Sequence, residues 1–160
     1  MPAICYSSPI GPLLVAAENG YITEISFMDA DTRAKFRDSS PDIGKDPSPI
    51  TDLCIKELDD YFAGKLQHFT TPIKLSSTPF RMQVWEALMT IPYGKTVSYK
   101  ELAVMIGNPK AIRAVGGANH NNPISIIVPC HRVIGADGTL TGYGGGLNNK
   151  AFLLDLEVNG

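Results

Sequence analysis

Ser98-Tyr99-Lys100-Glu101-Leu102-Ala103-Val104-Met105-Ile106-Gly107-Asn108-Pro109-Lys110-Ala111-Ile112-Arg113-Ala114-Val115-Gly116-Gly117-Ala118 decides how the second half of this 160-residue chain folds. Ser98 and Glu101 have the spacing of a capping box, in which the hydroxyl accepts from the amide three residues on and the carboxylate reaches back. A helix of about eight residues therefore runs from here to Ile106. Gly107 ends it, Asn108 caps a second helix with Pro109 at its start, and Ala111, Ile112, Ala114 and Val115 continue that helix. Two short helices joined by a glycine turn form a helix-turn-helix outline, which also occurs in proteins that never touch DNA. Gly116-Gly117 costs a helix about 1 kcal/mol per glycine relative to alanine, so something approaches the backbone closely there. A DNA minor groove about 6 Å wide, with Arg113 entering the base stack, satisfies this. Close packing on another helix of the same chain satisfies it equally.

Working upstream, Thr78-Pro79 reads as cap and first helical position for 80–90, with Phe80, Val84, Trp85 and Leu88 as its apolar face. Residues 71–77 read as a last strand and linker. Ser48-Pro49 opens an earlier helix whose Ile50, Leu53, Leu58, Tyr61 and Phe62 fall near one face, and Gly64 stops it. Before it lie three short apolar runs, 4–7, 13–17 and 21–27. They are separated by Pro9-Ile10-Gly11 and by Asn19-Gly20, a strong hairpin signal, so a three-stranded antiparallel meander is expected. Residues 29–49, rich in Asp, Ser, Pro and Gly after a brief charged helix-like piece over 31–37, read as a surface connection. The expected class is α+β. A small N-terminal antiparallel sheet lobe spans residues 1–76, and a mainly helical C-terminal lobe with the helix-turn-helix spans 77–160.

With 44% hydrophobic and 19% charged residues the chain can bury a core, which excludes intrinsic disorder. No apolar run approaches the roughly 20 residues that span a bilayer, and the N-terminus lacks the basic and apolar regions of a secretory signal. A cytoplasmic location is expected. Cys5, Cys54 and Cys130 form no Cys-x-x-Cys, which suits reduced thiols. The net charge of -2 conceals an asymmetry: residues 1–79 carry seven basic against eleven acidic residues, whereas 91–150 carry six against two. An anionic partner would therefore meet the second half. Gly94-Lys95-Thr96 lacks the upstream glycine of a phosphate loop, and Gly142-x-Gly144 meets Leu147 where a dinucleotide fingerprint needs a small residue.

Val128-Pro129-Cys130-His131-Arg132-Val133-Ile134 is an apolar run interrupted by a thiol and an imidazole. Cys130 is either a buried core thiol or a nucleophile, and the second role requires activation, because a free thiol is only a few per cent ionised at neutral pH. In a strand, His131 would point away from the sulfur and act on it through a bridging water. Glu157, near the end of an apolar helix over 151–158, is the carboxylate to place behind the imidazole.

Five elements together resemble one family, the O6-alkylguanine-DNA alkyltransferases, also called methylated-DNA-protein-cysteine methyltransferases. They are Ile91-Pro92-Tyr93-Gly94-Lys95-Thr96-Val97-Ser98-Tyr99, Arg113-Ala114-Val115-Gly116, Asn122-Pro123, Pro129-Cys130-His131-Arg132, and Gly142-Tyr143-Gly144-Gly145 with Lys150-x-x-Leu153-Leu154-x-x-Glu157. These motifs run in order from Thr78 to Glu157, while the N-terminal lobe is similar only in general plan to the family's ribonuclease H-like domain. The resemblance implies that Cys130 accepts the alkyl group, His131 is the water-linked base, Glu157 orients it, and Asn122 braces the segment before the cysteine. It makes Tyr99 a residue that crowds the target nucleotide's phosphate and reaches the ring N3, and Arg113 the residue that fills the hole in the duplex. Tyr143, the amide of Gly144 and Lys150 would line the base pocket, where donors stabilise the leaving O6. Ser98, Ala114, Gly117 and Pro129 are further substrate or DNA contacts on the same basis.

The implied activity is a single-turnover transfer of an alkyl group from O6-alkylguanine in double-stranded DNA, and from O4-alkylthymine, to Cys130 after base flipping from the minor-groove side. No cofactor is implied, and the expected form is a stand-alone monomer with no membrane partner. Metal sites found in some relatives are not expected, since Cys5, Cys54 and His68 lack compact ligand spacing. Two other functions fit some of the residues: a lesion-binding relative without an acceptor, which Cys130 argues against, and a Cys-His-Glu hydrolase.

Overall fold

The computed structural model describes residues 3–28, 45–46, 48–138 and 146–159. Backbone packing divides the chain into two compact units, Met1–Lys74 and Leu75–Gly160. The expected charged helix over 31–37, and Tyr143 and Gly144, lie outside the described residues.

In the first unit, β1 (Ala3–Ser8), β2 (Gly11–Glu18) and β3 (Tyr21–Phe27) form the antiparallel meander, and β4 (Lys45–Asp46) adds a short fourth strand in the order β3-β2-β1-β4. Asn19 and Gly20 both take positive φ, 52° and 82°, the backbone that a two-residue hairpin with matching twist requires. Helix α1 (Pro49–Phe62) starts with Ser48 as its cap, the Ser48 hydroxyl accepting from the amide of Thr51, and Gly64 follows with φ 75°. This helix packs across β1, β2 and β3. Tyr6, opposite Leu13 in the register, donates to Asp59 of α1 at 2.5 Å, so Leu13, Val15 and Ala17 face the helix. Leu14 and Ala16 point the other way and pack with Ala3 and Met28.

Residues 71–77 do not form the expected strand. Only one parallel bridge forms, between Ile22 and Ile73, with Ile22 N donating to Pro72 O and Lys74 N to Ile22 O, each at 2.9 Å. Pro72 has no N–H to offer, and the preceding amides are directed elsewhere. The buried Glu57 of α1 accepts from the amides of Thr70 (2.9 Å) and Thr71 (2.7 Å) and from both threonine hydroxyls. Burial pushes this carboxyl up, but these hydrogen bonds outweigh burial and hold it below the usual glutamate range. A carboxyl whose pKa is lowered on folding contributes stability above its unfolded value of about 4.3, and that contribution is lost as pH falls through the folded value. Glu57→Gln is therefore expected to cost about 2–3 kcal/mol at pH 7 and much less near pH 3. Thermal melts at the two pH values check this; an equal difference at both would contradict it.

In the second unit, helix α2 (Pro79–Leu88) begins at the Thr78 cap and buries Val84, Trp85 and Leu88. Strand β5 (Val97–Ser98) leads into α3 (Tyr99–Met105), whose Ser98–Glu101 capping box is formed on both sides. Gly107 (φ 76°) ends α3. The next helix, α4 (Ile112–His120), starts later than Asn108: its cap residue is Ala111, with no side-chain cap. Asn108 to Ala111 instead close a turn, with Ala111 N donating to Asn108 O at 3.0 Å. Asn followed by Pro suits the first two positions of such a turn as well as it suits a helix start.

The apolar run around Cys130 is also not a strand. Cys130–Arg132 form a 3₁₀ turn, and only Val133–Ile134 (β6) extend, parallel to β5. Ahead of it, the buried Ile126 holds φ 74°, unusual for a β-branched residue, in a tight segment where Val128 N donates to Ile124 O at 3.0 Å. Helix α5 (Leu147–Asn159) buries Lys150, Leu153 and Glu157. No described helix is long and apolar enough to cross a membrane.

Candidate active site

The 3₁₀ turn places Cys130, His131 and Arg132 on successive corners, and all three side chains are buried. Glu157, two turns along α5 from Lys150, faces this turn. Its Oε2 lies 2.6 Å from His131 Nε2, while Arg132 donates through Nε to Oε1 at 2.8 Å and through Nη2 to Oε2 at 3.1 Å. The Gly94 amide donates to Oε1 at 3.3 Å, and a Cβ on Gly94 would meet the backbone oxygen of Glu157 at 3.2 Å. Gly94 also has φ 78°, so both its backbone conformation and this close approach favour glycine. Arg132 is held from two further sides, donating to Ile91 O at 2.8 Å and lying 5.7 Å from the centre of the Tyr93 ring. A bidentate guanidinium with a third bond fixes the carboxylate in one orientation.

That orientation assigns the imidazole tautomer. Nε2 faces a carboxylate, so in the neutral ring it carries the hydrogen and donates, leaving a lone pair on Nδ1. Nδ1 is buried and bonds to no other described residue. Burial pulls the His131 pKa down against the opposing pull of Glu157, with Arg132 and Lys150 adding to the lowering. His131 is therefore a neutral base at physiological pH.

Burial pushes the Cys130 thiol up to about 11, opposed by a hydrogen bond from the Asn122 side chain, the charge of Lys150 and the amides of Cys130 and His131. The sulfur thus rests as a thiol surrounded by groups that favour its anion. Asn122 donates to Val128 O at 2.8 Å and accepts from Ile124 N at 3.0 Å, tying down the tight segment before the turn. Lys150 is fully buried; its ammonium donates to Val133 O and lies 6.0 Å from the Tyr99 ring centre. Burial brings its pKa down to about 8, against the pull of Cys130.

The structure brings Cys130, His131, Glu157, Asn122, Lys150 and the half-buried Tyr99 into one region of the second unit. Ser98 and Pro129 serve the scaffold: the Ser98 hydroxyl accepts from Glu101 N at 3.0 Å, and the buried Pro129 accepts from Arg132 N at 3.0 Å. Arg113, Ala114 and Gly117 are exposed together on one face of α4, whose other face buries Val115, Ala118 and Asn119. A Cβ on Gly117 would meet nothing within 4 Å, and one on Gly116 would meet the Tyr99 ring only at an ordinary 3.9 Å. Packing among the described residues does not require either glycine.

Sequence reasoning gave no role to Arg132, although an arginine beside a histidine in an apolar run signals a buried carboxylate partner. It also gave no role of its own to Gly94, noted only within a family motif and against a phosphate loop, or to Asn119. Asn119 is in fact buried, and its Nδ2 donates to Cys130 O at 3.3 Å.

Comparison with known proteins matches residues 79–159 to the family model described as 6-O-methylguanine DNA methyltransferase, DNA binding domain, and residues 3–75 to that family's ribonuclease-like domain. The chain is 49% identical over 150 residues to the methylated-DNA–protein-cysteine methyltransferase of Mycobacterium leprae, covering 94% of this chain and 88% of that protein. It is 47% identical over 152 residues to the protein of the same name from Methanosarcina acetivorans, covering 95% of each. The crystal structure of Mycobacterium tuberculosis OGT in complex with DNA superposes with a TM-score of 0.86 at 46% identity, covering 99% of this chain and 93% of that one.

Proposed function

Because the chain belongs to the 6-O-methylguanine DNA methyltransferase family, we propose that it repairs alkylated DNA by moving the alkyl group from guanine O6 to the sulfur of Cys130. The observation that carries this reading is the buried His131–Glu157–Arg132 cluster on the same 3₁₀ turn as Cys130. A neutral imidazole anchored at Nε2 presents Nδ1 to accept the thiol proton, and Glu157 stabilises the imidazolium that results. The thiolate attacks the alkyl carbon, the S–C bond forms as the C–O6 bond breaks, and the electron pair stays on the guanine, which is released from the reaction as an intact base after taking up a proton. Nothing is oxidised or reduced, so no cofactor is needed. A thioether is a poor leaving group, so each chain acts once.

O6 lies inside the paired duplex and the sulfur is buried, so the nucleotide must leave the stack to meet it. The exposed face of Arg113, Ala114 and Gly117 suits the minor groove: Gly117 offers bare backbone and Arg113 a guanidinium to fill the gap. Tyr99 and Lys150 border the space where the base would sit, with Tyr143 and Gly144 assigned there by resemblance. O4-alkylthymine presents the same exocyclic alkoxy group and is proposed as a second substrate. Action as a monomer in the cytoplasm completes the reading.

Duplex DNA carrying a tritiated O6-methylguanine tests it: the label should pass to the protein, at most once per chain. Release of the label as methanol would identify hydrolysis and overturn the proposal. Arg113→Ala is expected to slow transfer from duplex DNA by about 10–100-fold while changing transfer from free O6-methylguanine by less than about threefold, because the free base needs no extrusion. Single-turnover rates on the two substrates decide this, and equal losses would remove Arg113 from the flipping step.

A further inference from the structure

Among the described residues, two buried side-chain atoms have no hydrogen-bond partner, His131 Nδ1 and Asn119 Oδ1. The first belongs to the base, and the second has no part in the chemistry derived so far. Asn119 is only 2% exposed and sits in the last turn of α4, opposite the face that carries Arg113, Ala114 and Gly117. Its Nδ2 donates to the carbonyl of Cys130 at 3.3 Å, and the same carbonyl accepts from the Val133 amide across the 3₁₀ turn. Both acceptor positions of the Cys130 carbonyl are thus filled, one from within the turn and one from the DNA-facing helix.

We propose that Asn119 is a positioning residue for alkyl transfer: its side-chain amide ties helix α4 to the peptide of the acceptor cysteine and so aims Cys130 Sγ at the extruded base. A residue present for packing alone would be apolar, because a buried amide with one end unsatisfied destabilises the fold while a leucine of similar size does not. The donor is itself held firmly, since Trp85 Nε1 donates to the neighbouring Ala118 carbonyl at 2.8 Å and pins the end of α4. Asn122 makes a comparable tie to Val128, but to the segment before the turn. Asn119 alone among the described side chains bonds the backbone of Cys130 itself. The tie leaves Sγ and the imidazole untouched, so it governs direction and not proton transfer. Displacement requires the sulfur in line with the C–O6 bond, a geometry in which a misplacement of about 1 Å can cost 100-fold.

The inference rests on Cys130 being the alkyl acceptor, and wild-type protein measured in parallel keeps the two apart: if its Cys130 takes no alkyl group, the proposed function fails. Asn119→Leu removes both the tie and the unsatisfied oxygen. It should melt no lower than wild type and bind duplex within about twofold, yet transfer about tenfold more slowly at saturating DNA, with a similar loss on free O6-methylguanine. Asn119→Asp sets an acceptor against the Cys130 carbonyl and should be slower still at pH 7.5. Its rate relative to wild type should rise as pH falls, because the protonated carboxyl regains a donor and no longer places a negative charge beside Cys130, His131 and Lys150. A wild-type rate in Asn119→Leu, a loss that only follows weaker DNA binding, or an Asn119→Asp ratio flat with pH would each overturn the proposal.

Discussion

Cys130→Ala or Cys130→Ser is expected to abolish alkyl transfer, a loss of at least about 10⁴-fold, while duplex binding stays within about threefold. On the proposed reading the sulfur supplies the nucleophile and almost no contact area, since the residue is 4% exposed and the groups proposed to meet DNA lie on α4. Serine is no substitute. Its hydroxyl is far less acidic than a thiol, and the surrounding Asn122, Lys150 and backbone amides favour a thiolate against a burial that already pushes the thiol up to about 11. Cys54 lies fully buried in the first unit, where burial and then the charge of Glu57 push its thiol up to about 12. Single-turnover transfer and duplex titration on the same preparations check both halves, and a Cys130→Ala protein that still demethylates DNA would end the account.

Glu157→Gln carries the second large effect, a slowing of about 100-fold at pH 7 that shrinks to less than about tenfold near pH 10. The carboxylate performs two tasks at once: it fixes the His131 tautomer with the lone pair on Nδ1, and it neutralises the buried Arg132. A glutamine side chain keeps the shape but cannot stabilise an imidazolium. The sign of the pH dependence follows from the thiol and the imidazole. Because His131 is pulled below its ordinary value it stays neutral and basic above pH 7, while the thiol, pushed up, gains thiolate directly as pH rises. At alkaline pH the proton acceptor is needed less, so the variant approaches wild type. Losing the partner of a buried guanidinium also lowers stability by about 3 kcal/mol, so rates belong well below the melting temperature. A loss that is equal from pH 7 to pH 10 would mean that Glu157 serves only to hold Arg132.

The helix starts at Ser48, Thr78 and Ser98 were legible because a cap followed by proline or by a partner three residues on is a local signal, complete within a few residues. Asn108 misled for the same reason in reverse: Asn-Pro is equally good local chemistry for a turn, and only the packing of α4 decides between them. Residues 71–77 have strand-like composition, yet Thr70 and Thr71 give their amides to Glu57 of α1, a tertiary choice invisible in the segment itself. Strand β4 pairs only two residues with β1, too short to leave a pattern.

In the candidate site, the grouping of Cys130, His131 and Glu157 was legible from residue type and family motif. The turn that carries them was not, because an apolar run from Val128 to Ile134 suits a strand or a buried turn alike. Arg132, Gly94 and Asn119 act through backbone and second-partner bonds over 11 to 63 residues of sequence separation, which no local spacing encodes.

The most direct measurement of the central claim is the mass of the intact protein, with peptide mapping, after incubation with excess O6-methylguanine duplex. The account predicts a single gain of about 14 Da, one methylene, confined to the peptide containing Cys130 and not increasing with further substrate. An unmodified protein beside repaired DNA, or a methyl group on Cys5 or Cys54, would contradict it.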